Sequence, residues 1–442
     1  VGFVCNIAHH ADIGGMAPGS MAGGMSEIYQ EGLRIPVVRL CREGVLQDDL
    51  FELLLLNVRV PEERRGDYYA QIAACRLGVR RLEDVLQRQG AAVVEAAFDQ
   101  LIERTEARIR SAVARIPDGT YRFEDVMDDD GLGTLDIPIR LAVTVAGDRI
   151  RFDFTGPSAQ VEGNINVTTN ATIASVCYAL KGLLDPEIPN NQGVIDVAEL
   201  IVPEGSIVNA RFPAPVAARA HTCQRIVDVV LGALAEALPD KVIAACNGAN
   251  TTSVFSGLDP RTGRAYVYLE TLGGGIGGRP AKDGKDGVQA HITNTSNLPI
   301  EAIETEYPLL VESYGFVPDS GGAGRFRGGL GLRRVIRPRD HQCVFNGAGE
   351  RFRHAPWGLF GGAEGGTGRF LLVDDEGAAT ELEHKPSGVR ISPTQRIVVE
   401  TPGAGGYGNP AERDPEALAA DRESGKFGES YLARHYGRGR AE

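Results

Sequence analysis

The residues best placed to do chemistry stand at the start of the chain. The apolar positions Val1, Phe3, Val4 and Ile7 lead into His9-His10-Ala11-Asp12, and Gly14-Gly15 follow at once. Two imidazoles and a carboxylate beside a glycine break are the donors from which a metal or acid–base site is made. If the apolar run is a strand that continues to Asp12, alternation puts His10 and Asp12 on one face. If the chain turns after His9, then His9 and Asp12 converge. The spacing leaves both open. A ligand role for Asp12 also competes with a plainer one, capping the Gly14-Gly15 turn as Asp side chains commonly do.

Two further polar groups follow. The segment 219–225 (RAHTCQR) precedes an apolar run over 226–238 that reads as a buried helix, so its positive N-terminus lies beside His221 and Arg225. Backbone donors there suit an anionic substrate or an oxyanion. His221 and Cys223 are two residues apart, on different faces of a helix, which ranks a nucleophilic Cys–His pair low. The run 273–278 (GGGIGG) matches GxGxxG literally, but Arg279-Pro280 follows, where no helix can start, and the dinucleotide reading fails. No GxxxxGK[ST] motif is present either. The glycines suit close approach of backbone to a ligand, or a mobile lid. Asp286, His291, Thr293, Asn294 and Asn297 come next and suit binding. Asp128-Asp129-Asp130 could hold a hard cation, but a solvated acidic turn is the expectation.

These groups need elements to position them. Pro61-Glu62-Glu63 starts a helix, the stripe Tyr68, Ile72, Cys75, Val79, Leu82, Leu86 continues it, and Gly90 suits its stop. A second periodic run reaches Ile116, and the pair reads as an antiparallel helical hairpin with surface to spare for a partner. Ile137, Ile139, Leu141, Val143 and Val145 then alternate, Gly147-Asp148 turns the chain, and Ile150, Phe152 and Phe154 alternate back, a β-hairpin. A mostly apolar helix over 168–184, strands over 197–202 and 265–272, and short strands between glycine-rich turns after 312 complete the pattern. The class is α+β. The expected segments are a site segment (1–46), a helical hairpin (47–118), an α+β part (119–310), a mostly β part (311–411) and a helical tail (412–442).

Composition sets outer bounds. A length of 442 residues with 43% hydrophobic and 24% charged residues is that of a globular protein with several domains. A net charge of −13 argues against nucleic acid, which needs a basic surface. Nothing approaches the apolar length of a membrane span. Seven cysteines without CxxC spacing read as thiols in a reducing compartment, the cytoplasm.

Several long stretches occur in one order: AHHADIGG, PGSM and IYQEGLRIP near the start, then DFTGPSAQVEGNIN, PAPVAARAHTCQRIVDVVLGAL, HITNTSNLPIE and GGAGRFRGGLG. Together they resemble the hydantoinase B family over nearly the whole chain. That family includes the hydrolytic half of ATP-dependent 5-oxoprolinases and N-methylhydantoinases, and a subunit of acetone and acetophenone carboxylases. The sequence begins without Met, inside the family's first domain, so the resemblance implies a fragment lacking upstream Gly, His and Asp residues. It further implies a hydantoinase A-like, kinase-type subunit that uses ATP to phosphorylate the ring carbonyl oxygen of a small cyclic amide, while the present chain completes hydrolysis in a hetero-oligomer. A divalent metal (Mn, Zn or Fe) is expected on Asp12 with His9 or His10 as its nearest partner, and with a third ligand from Glu31, His221, Asp286, His291 or the upstream residues. His10, Glu31, His221 and His291 are the candidate catalytic residues; Arg34, Arg225, Asn294, Gly274 and Gly275 are the candidate substrate contacts. Residues 283–301 are expected to line the same cavity as 9–12. A ketone carboxylase subunit and a non-catalytic assembly subunit are the alternatives.

Overall fold

The computed structural model describes residues 2–437. Its class is α+β. The strand expected ahead of His9 is absent, and Phe3 (97% exposed) and Ile7 (90%) face solvent. A ribbon of β1 (Cys41–Arg42) and β2 (Val45–Leu46) leads into α1 (Asp48–Leu56), α2 (Pro61–Gln89) and α3 (Ala91–Val113). Pro61 supplies the fixed φ for the first turn of α2, Glu62 and Glu63 face its positive end, and Gly90 ends it at φ 84°.

The apolar stripe of α2 stays partly open, and the first ten residues lie along it. Val4 packs on Gly78, Asn6 exchanges hydrogen bonds with Gln71, and His10 bonds Asp67. Helix numbers fall as arm numbers rise, so the arm runs antiparallel to the helix. Ile109, Ala112 and Val113 of α3 join a core to which α2 contributes nothing. The two helices share a joint at Gly90 more than a common face.

The first sheet has the order β3 (Gly119–Asp129), β4 (Leu135–Ala146), β5 (Arg149–Asp153), β6 (Ala198–Ile201), with only β5 and β6 parallel. The period of two is realised: Ile137, Ile139, Leu141, Val143 and Val145 all point inward, and Val145 sits opposite Ile150 across the Gly147 turn. The helices α4 (Thr169–Leu184), α5 (Gln192–Ile195) and α6 (Arg219–Ala233) come from the same part of the chain, and α6 packs on β3, β4 and α4. Every α6 residue from His221 to Ala233 is buried. The helix begins at Arg219, ahead of the apolar run, so RAHTCQR forms its first turns and does not precede it.

The remainder holds β7 (Thr251–Leu258), β8 (Ala265–Leu272), α7 (Ile300–Glu306), β9 (Leu309–Phe316), β10 (Leu332–Pro338), β11 (Cys343–Ala348), β12 (Arg369–Val373), β13 (Ala379–Glu381), β14 (Val389–Ile391) and β15 (Arg396–Glu400). Two sheets, β14-β11-β7-β8 and β13-β12-β15-β10-β9, share a core of Phe255, Tyr268, Phe345, Phe370 and Val399. The first of them takes β7 and β8 from before residue 310 and β11 and β14 from after it, so the expected boundary there runs through a sheet. The helices α8 (Pro415–Glu423) and α9 (Glu429–His435) follow, with Phe427 and Leu432 packed on Leu330. The last part of the expected helical tail, 438–442, lies outside the described residues.

Glycine-rich runs near 273–278, 320–331, 357–366 and 402–408 lie backbone against backbone. Gly278 N–H bonds Gly405 O at 2.8 Å, Gly329 N–H bonds Ile276 O at 2.9 Å, and Gly322 N–H bonds Ala404 O at 2.8 Å. A Cβ on Gly275 would stand 2.2 Å from Gly329 O, and one on Gly328 would stand 1.9 Å from Ala404 O. The glycines are there because nothing larger fits between these chains.

Candidate active site

The arm turns at Asp12 and enters the body through the loop 13–34. Asp12 is fully buried and its carboxylate accepts four N–H groups: the backbones of Gly14, Gly19 and Arg59, and the Arg59 guanidinium at 2.8 Å. Its acceptor positions are filled. The expected metal-ligand role is thus corrected to an ion-paired cap of the Gly14 turn. His10 Nδ1 lies 3.1 Å from Asp67 Oδ2, and its ring packs edge-on against Tyr68. With Nδ1–H donated to that carboxylate, Nε2 is the free acceptor, the tautomer that suits a base or a ligand. His9 is exposed and makes no hydrogen bond or ion pair among the described residues. Partial burial, the Arg219 charge and His10 hold its imidazole below the usual histidine range.

Glu31 meets this group from the other side of the loop. It is 8% exposed, and its Oε1 accepts the backbone N–H of Val216 and, at 2.6 Å, of Ala217, just ahead of α6. Burial raises its carboxyl above the ordinary range, while those two donors and Arg219 pull the other way. Glu31 is thus fixed just ahead of α6, and the Arg219 charge at the start of that helix acts on both Glu31 and His9. Arg34 stacks over Phe212 (4.7 Å) and Tyr29 (5.3 Å), an exposed cation–π stack at the same edge.

The other candidates sit elsewhere. His221 is fully buried in α6, its ring nitrogens have no hydrogen-bond partner among the described residues, and burial pushes its pKa down to about 3. Without access to solvent it has no route to a substrate, so the catalytic role is corrected to a core position. Arg225 is fully buried too; its Nη1 bonds Asp125 at 3.0 Å and Val126 O and its Nη2 stands 3.7 Å from Glu350, so burial among these groups keeps it from solvent and substrate. Gly274 and Gly275 belong to the glycine packing, where Asn247, Pro402 and Gly329 O occupy the space a ligand or a lid would need. Asn294 is exposed.

His291 Nε2 pairs with Asp228 Oδ1 at 2.9 Å, and Asp286 is held by Arg327 at 2.6 Å. No hydrogen bond or ion pair joins 283–301 to 9–12 among the described residues. The segment 283–301 reaches α6 at Asp228, through His291, and at Gln224, whose Nε2 donates to Ala290 O at 3.0 Å and to Thr293 Oγ1 at 2.8 Å.

Asp128, Asp129 and Asp130, expected in solvent, are buried (0%, 9% and 1% exposed). Asp128 accepts the backbone N–H groups of Phe352, Arg353 and His354; Asp129 pairs with His384 and Lys385; Asp130 bonds the N–H of Leu132, Thr134 and Gly163. No solvated turn and no cation is needed there. The residues that sequence reasoning missed are Arg219, Asp228 and Cys246. A single carboxylate inside the apolar run IVDVVLGAL was the available signal for Asp228, since a buried charge requires a partner. A cleft of about 320 Å³ between Tyr121, Phe123, Gly232 and Phe360 contains none of these residues.

Comparison with known proteins gives a consistent picture. The family described as hydantoinase B/oxoprolinase matches residues 1–410. Caprolactamase subunit beta of Pseudomonas jessenii is 32% identical over 96% of this chain and 74% of its own. The crystal structure of ATP-dependent caprolactamase from that organism superposes with a TM-score of 0.88 at 29% identity, covering 98% of this chain and 77% of that one. 5-Oxoprolinase 1 of Arabidopsis thaliana is 32% identical over 92% of this chain, which spans 33% of it. Acetone carboxylase, in a nucleotide-free structure, shares the fold with a TM-score of 0.87 at 20% identity, over 97% of this chain and 63% of that one.

Proposed function

The chain belongs to the hydantoinase B/oxoprolinase family, and on that premise we propose that it is the hydrolytic subunit of an ATP-dependent cyclic-amide hydrolase. It opens a hydantoin, N-methylhydantoin or 5-oxoproline ring beside a hydantoinase A-like ATPase subunit. The single observation that carries this reading is the match to that family over residues 1–410, and His9, Glu31 and Arg219, the last of which acts on both of the others through its charge, supply groups suited to the chemistry. An amide resists water because its resonance must be broken, so ring opening needs an activated carbonyl, a base for the attacking water and an acid for the leaving nitrogen. The partner supplies the first by phosphorylating the carbonyl oxygen. His9, held neutral by burial and Arg219, accepts the water proton. Glu31, its carboxyl raised by burial, delivers a proton to the ring nitrogen as the C–N bond breaks, and the acyl phosphate left behind is cleaved by a second water to carboxylate and inorganic phosphate. Arg219 balances the charge that develops on oxygen.

The metal that the family implies fits these residues only in part. His9 and His10 supply two imidazoles, but the Asp12 oxygens are engaged, and the arm does not make up a three-ligand set among the described residues. The steps above use none. The free state of all seven cysteines supports a cytoplasmic setting, and no helix of the described chain is long and apolar enough to cross a membrane. The shared fold with acetone carboxylase makes ketone carboxylation the competing reaction. The test supplies the chain and its ATPase partner with ATP and, separately, a cyclic amide or a ketone with bicarbonate. Release of the ring-opened amino acid, lost in His9→Ala, is expected. Carboxylated ketone with no ring opening sinks the proposal.

A further inference from the structure

Asp228, Cys246 and His291 come from α6, from the loop ahead of β7 and from the turn after β8, and their ligand atoms lie within 4.8 Å of one another. It is the one such trio among the described residues. All three side chains are out of solvent: Asp228 and Cys246 are fully buried and the His291 side chain is 3% exposed. Each is held in place by a group behind it. Asp228 turns its Oδ2 to Arg351 at 2.9 Å and so presents Oδ1 to His291. Cys246 Sγ accepts the Gly277 N–H at 3.4 Å. His291 adopts φ 48°, and the Tyr178 ring covers it edge-on. The N-terminal arm takes no part, and the amide-hydrolase reading does not depend on this trio.

From this geometry we propose that Asp228, Cys246 and His291 bind a divalent transition ion of the zinc class. Thiolate and imidazole select zinc, cobalt(II) or iron(II) over magnesium and calcium, which take oxygen ligands. A dication held by a thiolate and a carboxylate has its two charges matched by its own ligands. That matters beside Arg351, Asp125 and Asp228, which are already buried together. The ion ties α6, beneath the first sheet, to loops on either side of the β7–β8 hairpin, and those loops adjoin the glycine runs at Gly277. Its role is to clip two parts of the body together.

The test strips the full chain with a chelator and adds cobalt(II). One equivalent per chain with a thiolate-to-cobalt charge-transfer band in the near ultraviolet, displaced by zinc, is expected. Cys246→Ser loses the band, while Cys223→Ser and His9→Ala keep it. Should Cys246→Ser fail to fold, zinc X-ray absorption on the wild-type chain reads the same point, with one sulfur expected in the coordination shell. Cobalt bound without the band, a band that survives in Cys246→Ser, zinc with no sulfur ligand, or no binding at all overturns the site.

Discussion

Residues 2–34 and the packing around α6 both gather His, Asp, Glu and Arg, but, Asp12 and His221 aside, they leave them in opposite states. Around α6 the ionisable groups are locked to one another. Asp125 takes Arg225, Arg351 and the half-buried Trp357 indole; Lys385 takes Asp129 and Glu350; all of these charged groups are buried. Desolvation of each charge is offset by direct pairing, and the Asp125 carboxyl is held far below the ordinary range against a burial effect that alone would raise it. In the arm, His9 is exposed and unpaired, His10 keeps one nitrogen free, and Glu31 has only one oxygen engaged. Ionisable density marks a reactive site only where the groups are not already spent on each other.

Stability measurements on single variants can break this contrast. Arg351→Met removes the guanidinium shared by Asp125 and Asp228, leaving two buried carboxylates with only Arg225 and His291 as charged partners, and is expected to cost about 3–5 kcal/mol in urea unfolding. A loss under about 1 kcal/mol would show the network to be dispensable. Next comes Gly328→Ala, whose Cβ meets Ala404 O at 1.9 Å. Two facing backbones cannot both yield, so a loss of about 1–3 kcal/mol is expected, and an unchanged melting temperature contradicts the packing described.

The effect of pH sharpens the same contrast. The unfolded His221 takes a proton near pH 6.5, whereas the folded ring, its pKa pushed down to about 3, does not. The unfolded state thus binds more protons in that interval, and stability falls as pH drops from about 6.5 toward 3. His221→Gln should flatten that limb in melts taken across the range; an identical slope removes His221 as its source. The smallest change in stability belongs to His9→Ala, within about 0.5 kcal/mol. Its turnover with the partner should fall about 10²- to 10⁴-fold. Equal turnover would return the arm to the status of a solvated tail.

What the sequence made legible was local. The start of α2 at Pro61, its end at Gly90 and the inward faces of β4 and β5 depend on neighbours within a few residues, and periodicity reports those directly. The acidic triplet at 128–130 was misread because its partners are Lys385, His384 and the backbone at 352–354, more than two hundred residues away. Asp12 was misread for the same reason, its partner Arg59 lying 47 positions on. Glu31 was picked out by the sequence, yet the group that gives it meaning, Arg219, was visible only as part of a polar run. Local pattern says which residues are ionisable; only the fold says which of them have been neutralised.

The interleaved glycine runs have a thermal consequence. Most cores bury hydrocarbon, and its exposure on unfolding raises the heat capacity, whereas exposure of peptide groups lowers it. Where Gly275, Gly278, Gly322, Gly328 and Gly405 stack amide on amide, melting releases chiefly the second kind of surface. The heat-capacity increment per residue of this protein should therefore fall below the ~12–15 cal/mol/K usual for globular chains. A smaller increment gives a broader curve of stability against temperature, so a body held together by its own backbone loses stability more slowly on either side of its optimum.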